Sequence, residues 1–322
     1  MKSRRWVVQD VLPLLVLLAT ASAPALAEKP PLPLKANVVI HFDLERLRES
    51  ALYSAVEESV SPFARSNEQL QMFLEATDLS AATAKTKGFT IYSFSDPQHP
   101  KDFAGVLTSA FGEETRARLE QAYAPVARNV GGRIIMPVIQ TPDTEIVMSF
   151  LGPERLTFGT ARAVELVVSE RDSQSMVAAY QRTATRRPIW GIINARDVVD
   201  SLMAGLDTDG GDNPLAILRD HPALRSLTAI GFSIELGKDV FFELRAFTDS
   251  PEDARLLADL IKGALALGQL GISQTKDADA VEFFRGVIAE SERDSVYVSF
   301  TLTERQIERL KDGEALLQDL IP

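Results

Sequence analysis

Cysteine is absent from the chain, which removes disulfides, thiolate metal sites and cysteine nucleophiles together. Histidine is nearly so. His41, His99 and His221 are the three in the sequence, and none belongs to a His-x-x-x-His or His-Glu-x-x-His arrangement, so a zinc centre would have to gather ligands from unrelated segments. Positive charge is the poorer sign, with 34 Lys plus Arg against 45 Asp plus Glu and a net charge of −11. No basic run offsets it, and a nucleic-acid backbone would be repelled. There is no Gly-x-Ser-x-Gly elbow, P-loop, dinucleotide fingerprint or Gly-X-Y repeat. The 322 residues are 45% apolar and 25% charged, the composition of a globular protein, and the length suits about two domains.

Residues 1–27 have the three parts of a secretory signal peptide. Lys2, Arg4 and Arg5 make a basic start, residues 11–19 are apolar, and Ala25-Leu26-Ala27 supplies a small-residue end. A membrane span needs about 20 consecutive apolar residues, and Asp10, Pro13, Ser22 and Pro24 interrupt this one. Cleavage before Glu28 is therefore expected, leaving a mature chain in the periplasm or outside the cell without a membrane span. Ser3-Arg4-Arg5-Trp6-Val7-Val8 also resembles a twin-arginine signal, with the general secretory route as the default. Losing Lys2, Arg4, Arg5 and Asp10 takes the net charge from −11 to −13. Residues 28–36, with Pro30, Pro31 and Pro33, read as an extended linker.

The remainder is expected to be α+β, built from two related repeats, residues 37–185 and 186–322, each an antiparallel sheet packed against helices. Asn37-Val38-Val39-Ile40-His41-Phe42-Asp43 is an apolar strand closed by an N-capping residue. The plan returns 151 residues on as Pro188-Ile189-Trp190-Gly191-Ile192-Ile193-Asn194. At an offset of 137, Lys101-Asp102-Phe103 matches Lys238-Asp239-Val240, and Ala117-Arg118-Leu119 matches Ala254-Arg255-Leu256. Ser250-Pro251-Glu252-Asp253 reads as a helix start, with a capping hydroxyl, a proline at the first helical position and two carboxylates at the positive end of the dipole. Phe150 to Arg155 also resembles Phe300 to Arg305. Strands are expected over 89–95, 103–109, 133–138, 145–150, 156–159, 227–236, 240–247 and 296–302. Helices are expected from 113, from the Ser250 turn to about 267, over 278–288 and from 304.

The segment Val39-Ile40-His41-Phe42-Asp43-Leu44-Glu45-Arg46-Leu47, with Phe89-Thr90-Ile91-Tyr92-Ser93 and Arg155-Leu156-Thr157-Phe158-Gly159-Thr160-Ala161 before a helix, resembles a group of exported bacterial proteins to which no activity is attached. The resemblance spans most of the mature chain and implies the architecture alone.

Candidate chemistry is sparse. Asp207, Asp209 and Asp212 gather in one loop with Asn213, the oxygen donors that calcium favours. Leu218 stands where an EF-hand needs a bidentate Glu, and the glycine comes at the fourth position instead of the sixth. No metal site is therefore expected there, and no cofactor anywhere. Ser273-Gln274-Thr275-Lys276 has Ser-x-x-Lys spacing without the companion motifs of penicillin-recognising enzymes. Glu57-Glu58, Glu113-Glu114 and Glu252-Asp253 are neighbours on helices, about 100° apart, and read as solvated faces, since acid–base work needs two carboxylates aimed into one cleft. Phe241-Phe242 puts one ring on the sheet face away from its own core, where packing between the repeats is the cheapest way to cover it. No catalytic residue is assigned. The favoured reading is an exported, non-catalytic protein that binds a protein, peptide or envelope component. An enzyme with an Asp, Glu or Ser site between the repeats and a scaffold of the cell envelope are the alternatives.

Overall fold

The computed structural model describes residues 30–50, 86–94, 102–140, 145–169, 172–195, 222–273 and 278–311. Residues 1–27, the acidic loop with Asp207, Asp209 and Asp212, His99, His221 and Gln274-Thr275-Lys276 lie outside the described residues. The chain divides into two compact units between Val177 and Ala178, inside a helix and upstream of Arg186, where the sequence reading begins its second half.

The first unit runs β1 (Val38–Asp43), α1 (Leu44–Glu49), β2 (Thr86–Ser93), β3 (Phe103–Ser109), α2 (Glu113–Tyr123), β4 (Arg128–Val130), β5 (Arg133–Gln140), β6 (Glu145–Gly152), β7 (Arg155–Thr160) and α3 (Ala161–Ser169), then enters α4 (Gln174–Arg182). β-Branched and aromatic residues make β1 a strand, and it stops where the Asp43 carboxylate accepts the Arg46 amide at 3.1 Å to start α1. Pro153-Glu154 turns β6 into β7. The strands are antiparallel, in the order β1-β2-β3-β7-β6-β5-β4.

The second unit continues with β8 (Ile189–Asn194), α5 (Pro222–Arg225), β9 (Leu227–Leu236), β10 (Val240–Thr248), α6 (Pro251–Ser273), α7 (Ala278–Gly286), β11 (Ile288–Glu292), β12 (Ser295–Leu302) and α8 (Glu304–Lys311). Its antiparallel order is β8-β9-β10-β12-β11. Ser250 caps α6 as a reciprocal box: its Oγ accepts the Asp253 amide at 3.2 Å and donates to the Asp253 carboxylate at 2.6 Å. Ala254, Leu257 and Ala258 of α6 pack on Leu227, Ala246 and Val296 of the sheet. Beside them Phe300 stacks on Phe242 and receives the edge of Phe283 from α7.

With β4 and β5 set aside, both sheets follow the order first, second, third, fifth, fourth. Two irregularities recur with it. Lys87 bulges between Thr86 and Gly88 opposite the end of β3, and Thr228 bulges between Leu227 and Ala229 opposite the end of β10. In each unit the last amide of the third strand donates 2.8 Å to the carbonyl of a later hairpin turn, Ser109 to Glu154 and Thr248 to Asp294.

Some expectations shift. Helix α6 extends past 267 to Ser273 and runs through Gly268. At this position a Cβ would come 2.8 Å from the Phe284 ring, so the glycine serves the approach of α7 instead of ending α6. The helix expected over 278–288 stops at Gly286, and Ile288 opens β11. Strands β4 and β11 are additions, short and polar as sheet edges are. Leu256, matched above with buried Leu119, is 40% exposed, and Leu257 is the buried residue. Finally, Phe150 to Arg155 crosses a strand-to-strand turn and Phe300 to Arg305 a strand-to-helix junction, so that likeness does not mark equivalent positions.

Candidate functional site

In the second unit, alternation along β10 sends Leu244 and Ala246 toward α6 and turns Phe241, Glu243, Arg245 and Phe247 to the opposite face. Three arginines lie over aromatic rings there. Arg187, just before β8, is 4.6 Å from the Phe241 centroid, ion-pairs with Glu243 at 2.8 Å and donates to Ser233 Oγ at 3.0 Å. Arg245 is 5.5 Å from the Tyr297 centroid and pairs with Glu292 at 2.5 Å. Arg182, at the end of α4, is 4.9 Å from the Phe247 centroid, pairs with Asp294 at 2.5 Å and donates to Ser295 Oγ at 2.7 Å.

The packing below these groups holds them. The Tyr180 ring of α4 meets Trp190 edge-on, with centroids 5.2 Å apart. Thr183 sits on Gly231, where a Cβ would overlap its Oγ1, and that hydroxyl donates 2.8 Å to the Ala179 carbonyl. Arg187 and Glu243 are 21% and 13% exposed, so that ion pair is held against protein, whereas Arg245 is 16% exposed and its partner Glu292 50%. The Nε of Arg245 is buried with no hydrogen-bond partner.

A sheet face of the first unit carries different chemistry. His41, Thr90, Val106, Thr157 and Ser149 form one row across β1, β2, β3, β7 and β6. His41 Nδ1 lies 2.9 Å from Thr90 Oγ1, and burial lowers its pKa to about 4, which keeps the imidazole neutral near pH 7. The neighbouring row contains Tyr92, Ala104 and Gly159. Burial pushes the Tyr92 phenol well above its ordinary range, with Arg155 and Asp172 close enough to act on it in opposite directions. Asp172 also accepts the Leu32 amide at 2.8 Å, fastening the segment that leads into β1.

Of the residues considered in the sequence, His41 is the one brought into a polar cluster. Glu113, Glu114, Glu252 and Asp253 lie in first helical turns. Arg187 of the same unit lies over the Phe241 ring. The Arg182, Arg187 and Arg245 pairs were not anticipated. Their signal was the alternation of Phe241, Glu243, Arg245 and Phe247, a strand face neither apolar nor simply charged. Among the described residues no three His, Asp or Glu side chains group as a metal site, and no helix is long and apolar enough to cross a membrane. No protein-family model, curated protein or solved structure matches the chain.

Proposed function

We propose that the chain is an exported, non-catalytic binding protein made of two related α+β repeats, and that its recognition surface is the arginine–aromatic face of the second unit. The observation that carries the reading is the set of three arginines, each laid over a ring and each tied to a carboxylate. Arginine and aromatic side chains dominate the energetics of protein recognition. Here salt bridges and Ser233 and Ser295 hydroxyls fix their geometry before any partner arrives, which lowers the ordering entropy of binding. The three carboxylates balance the three guanidinium groups, so the surface suits a protein or peptide partner over a polyanion.

Shared strand order, matching bulges and the paired Ser109–Glu154 and Thr248–Asp294 bonds support a duplication. In this reading the first unit keeps the scaffold, and the second has replaced Ala104 and Val106 by Glu243 and Arg245. Export rests on the basic, apolar and small-residue order of residues 1–27.

An enzyme is the second reading, favoured by the His41–Thr90 pair, which has the contact distance of a base and its hydroxyl nucleophile. Thr90 is only 3% exposed, and a substrate has no direct approach to it. Affinity capture from envelope extract separates the readings. Wild-type bait should retain a partner that a folded Phe241→Ser, Tyr297→Ser double variant loses. Equal retention by both baits contradicts the assignment of this face.

A further inference from the structure

Ser149 and Thr157 face each other directly across β6 and β7, and both are fully buried. Among the described residues neither Ser149 Oγ nor Thr157 Oγ1 has a hydrogen-bond partner. Folded proteins rarely leave buried hydroxyls unpaired, because each has given up its bonds to solvent. Side chains directly opposite in an antiparallel pair have Cβ atoms about 4.5–5.5 Å apart, a spacing at which one oxygen can reach both hydroxyls.

The surroundings indicate what that oxygen belongs to. The two facing groups are neutral, each able to donate and to accept, and Arg155 stands two residues before Thr157 on β7. Val106 and Val147 flank them in the sheet.

We propose that the first unit binds ordered internal water on this face, with at least one molecule shared by Ser149 and Thr157. Water supplies two donors and two acceptors in the volume of a single oxygen and characteristically satisfies about three buried polar groups. The face is thereby a hydrated polar core.

A high-resolution crystal structure of the full chain tests this directly. A water oxygen within about 2.5–3.0 Å of both Ser149 Oγ and Thr157 Oγ1 is expected. A dry pair, or hydroxyls rotated onto backbone carbonyls, overturns the proposal. In solution, water-oxygen relaxation dispersion should show at least one fewer long-lived water in the Ser149→Ala, Thr157→Val double variant than in wild type, and an unchanged count is contradictory. Thr157→Ser, which keeps a hydroxyl, should retain the wild-type count, and it serves if the double variant does not fold. Loss of the signal in Thr157→Ser would equally count against a hydroxyl-bound water.

Discussion

Acid should find His41 before it finds most carboxylates. The imidazole faces Thr90 within the sheet, and burial lowers its pKa from 6.5 to about 4. In the unfolded chain the ring takes a proton near pH 6.5. Between those values the unfolded state therefore binds more protons than the folded one, and stability rises with pH there. Above pH 6.5 the ring is neutral in both states and contributes no pH dependence. As pH falls toward 4 the folded state loses ground, by at most about 1.4 kcal/mol per pH unit, and below the folded value the loss levels off. The whole interval amounts to roughly 2–3 kcal/mol, the lower part of the range allowing for partial solvent contact of the ring. The perturbation is His41→Asn, which retains a polar group beside Thr90 and cannot titrate. Urea midpoints measured from pH 7.5 to 4 should fall less steeply for the variant than for wild type, with the two curves diverging below pH 6.5. Carboxylates titrate in both proteins and cancel in the difference. Parallel curves over this range would refute the assignment.

The remaining predictions concern packing. Gly231→Ala puts a methyl against Thr183 Oγ1, whose own hydrogen bond to Ala179 resists displacement, and should lower unfolding stability by about 1–3 kcal/mol. Leu257→Ala should cost about 2–5 kcal/mol and Leu256→Ala within about 0.5 kcal/mol, because the first is 4% exposed and the second 40%. Thermal midpoints of both variants check the pair, and equal losses would contradict the observed rotation of α6. Ser250→Ala removes the reciprocal cap with Asp253 and should cost about 1 kcal/mol by urea denaturation.

The secondary structure was legible wherever a segment carried its own pattern. Runs such as Val38-Val39-Ile40 and the cap signals at Asp43 and Ser250 act within a few residues, and short-range chemistry decides them. Edge strands defeat such reasoning. Arg128-Asn129-Val130 and Ile288-Ala289-Glu290-Ser291-Glu292 bury one face or none, so they lack the alternation that reveals a central strand. Gly268 is hard to read for a related reason: its role depends on Phe284, a residue of the next helix.

The faces were harder still. Arg187 and Glu243 meet only because β8, β9 and β10 are neighbours in a particular register, and the row from His41 to Ser149 draws one residue from each of five strands. Register is set by the whole sheet. The strand expected on each side of the offset of 151 is present, as Val38–Asp43 and Ile189–Asn194. At the helices the sequence match of Leu119 with Leu256 pairs a buried residue with an exposed one, and Leu257 is the buried residue.

The most direct test of the recognition surface is site-specific photo-crosslinking in the intact envelope. A benzophenone side chain placed at Thr301 or Glu235, exposed residues on the arginine–aromatic face, should trap a discrete partner. The same group at Asp259 or Lys262, on the exposed side of α6, should trap none. Adducts from the α6 positions alone, or none from either face, would contradict the account.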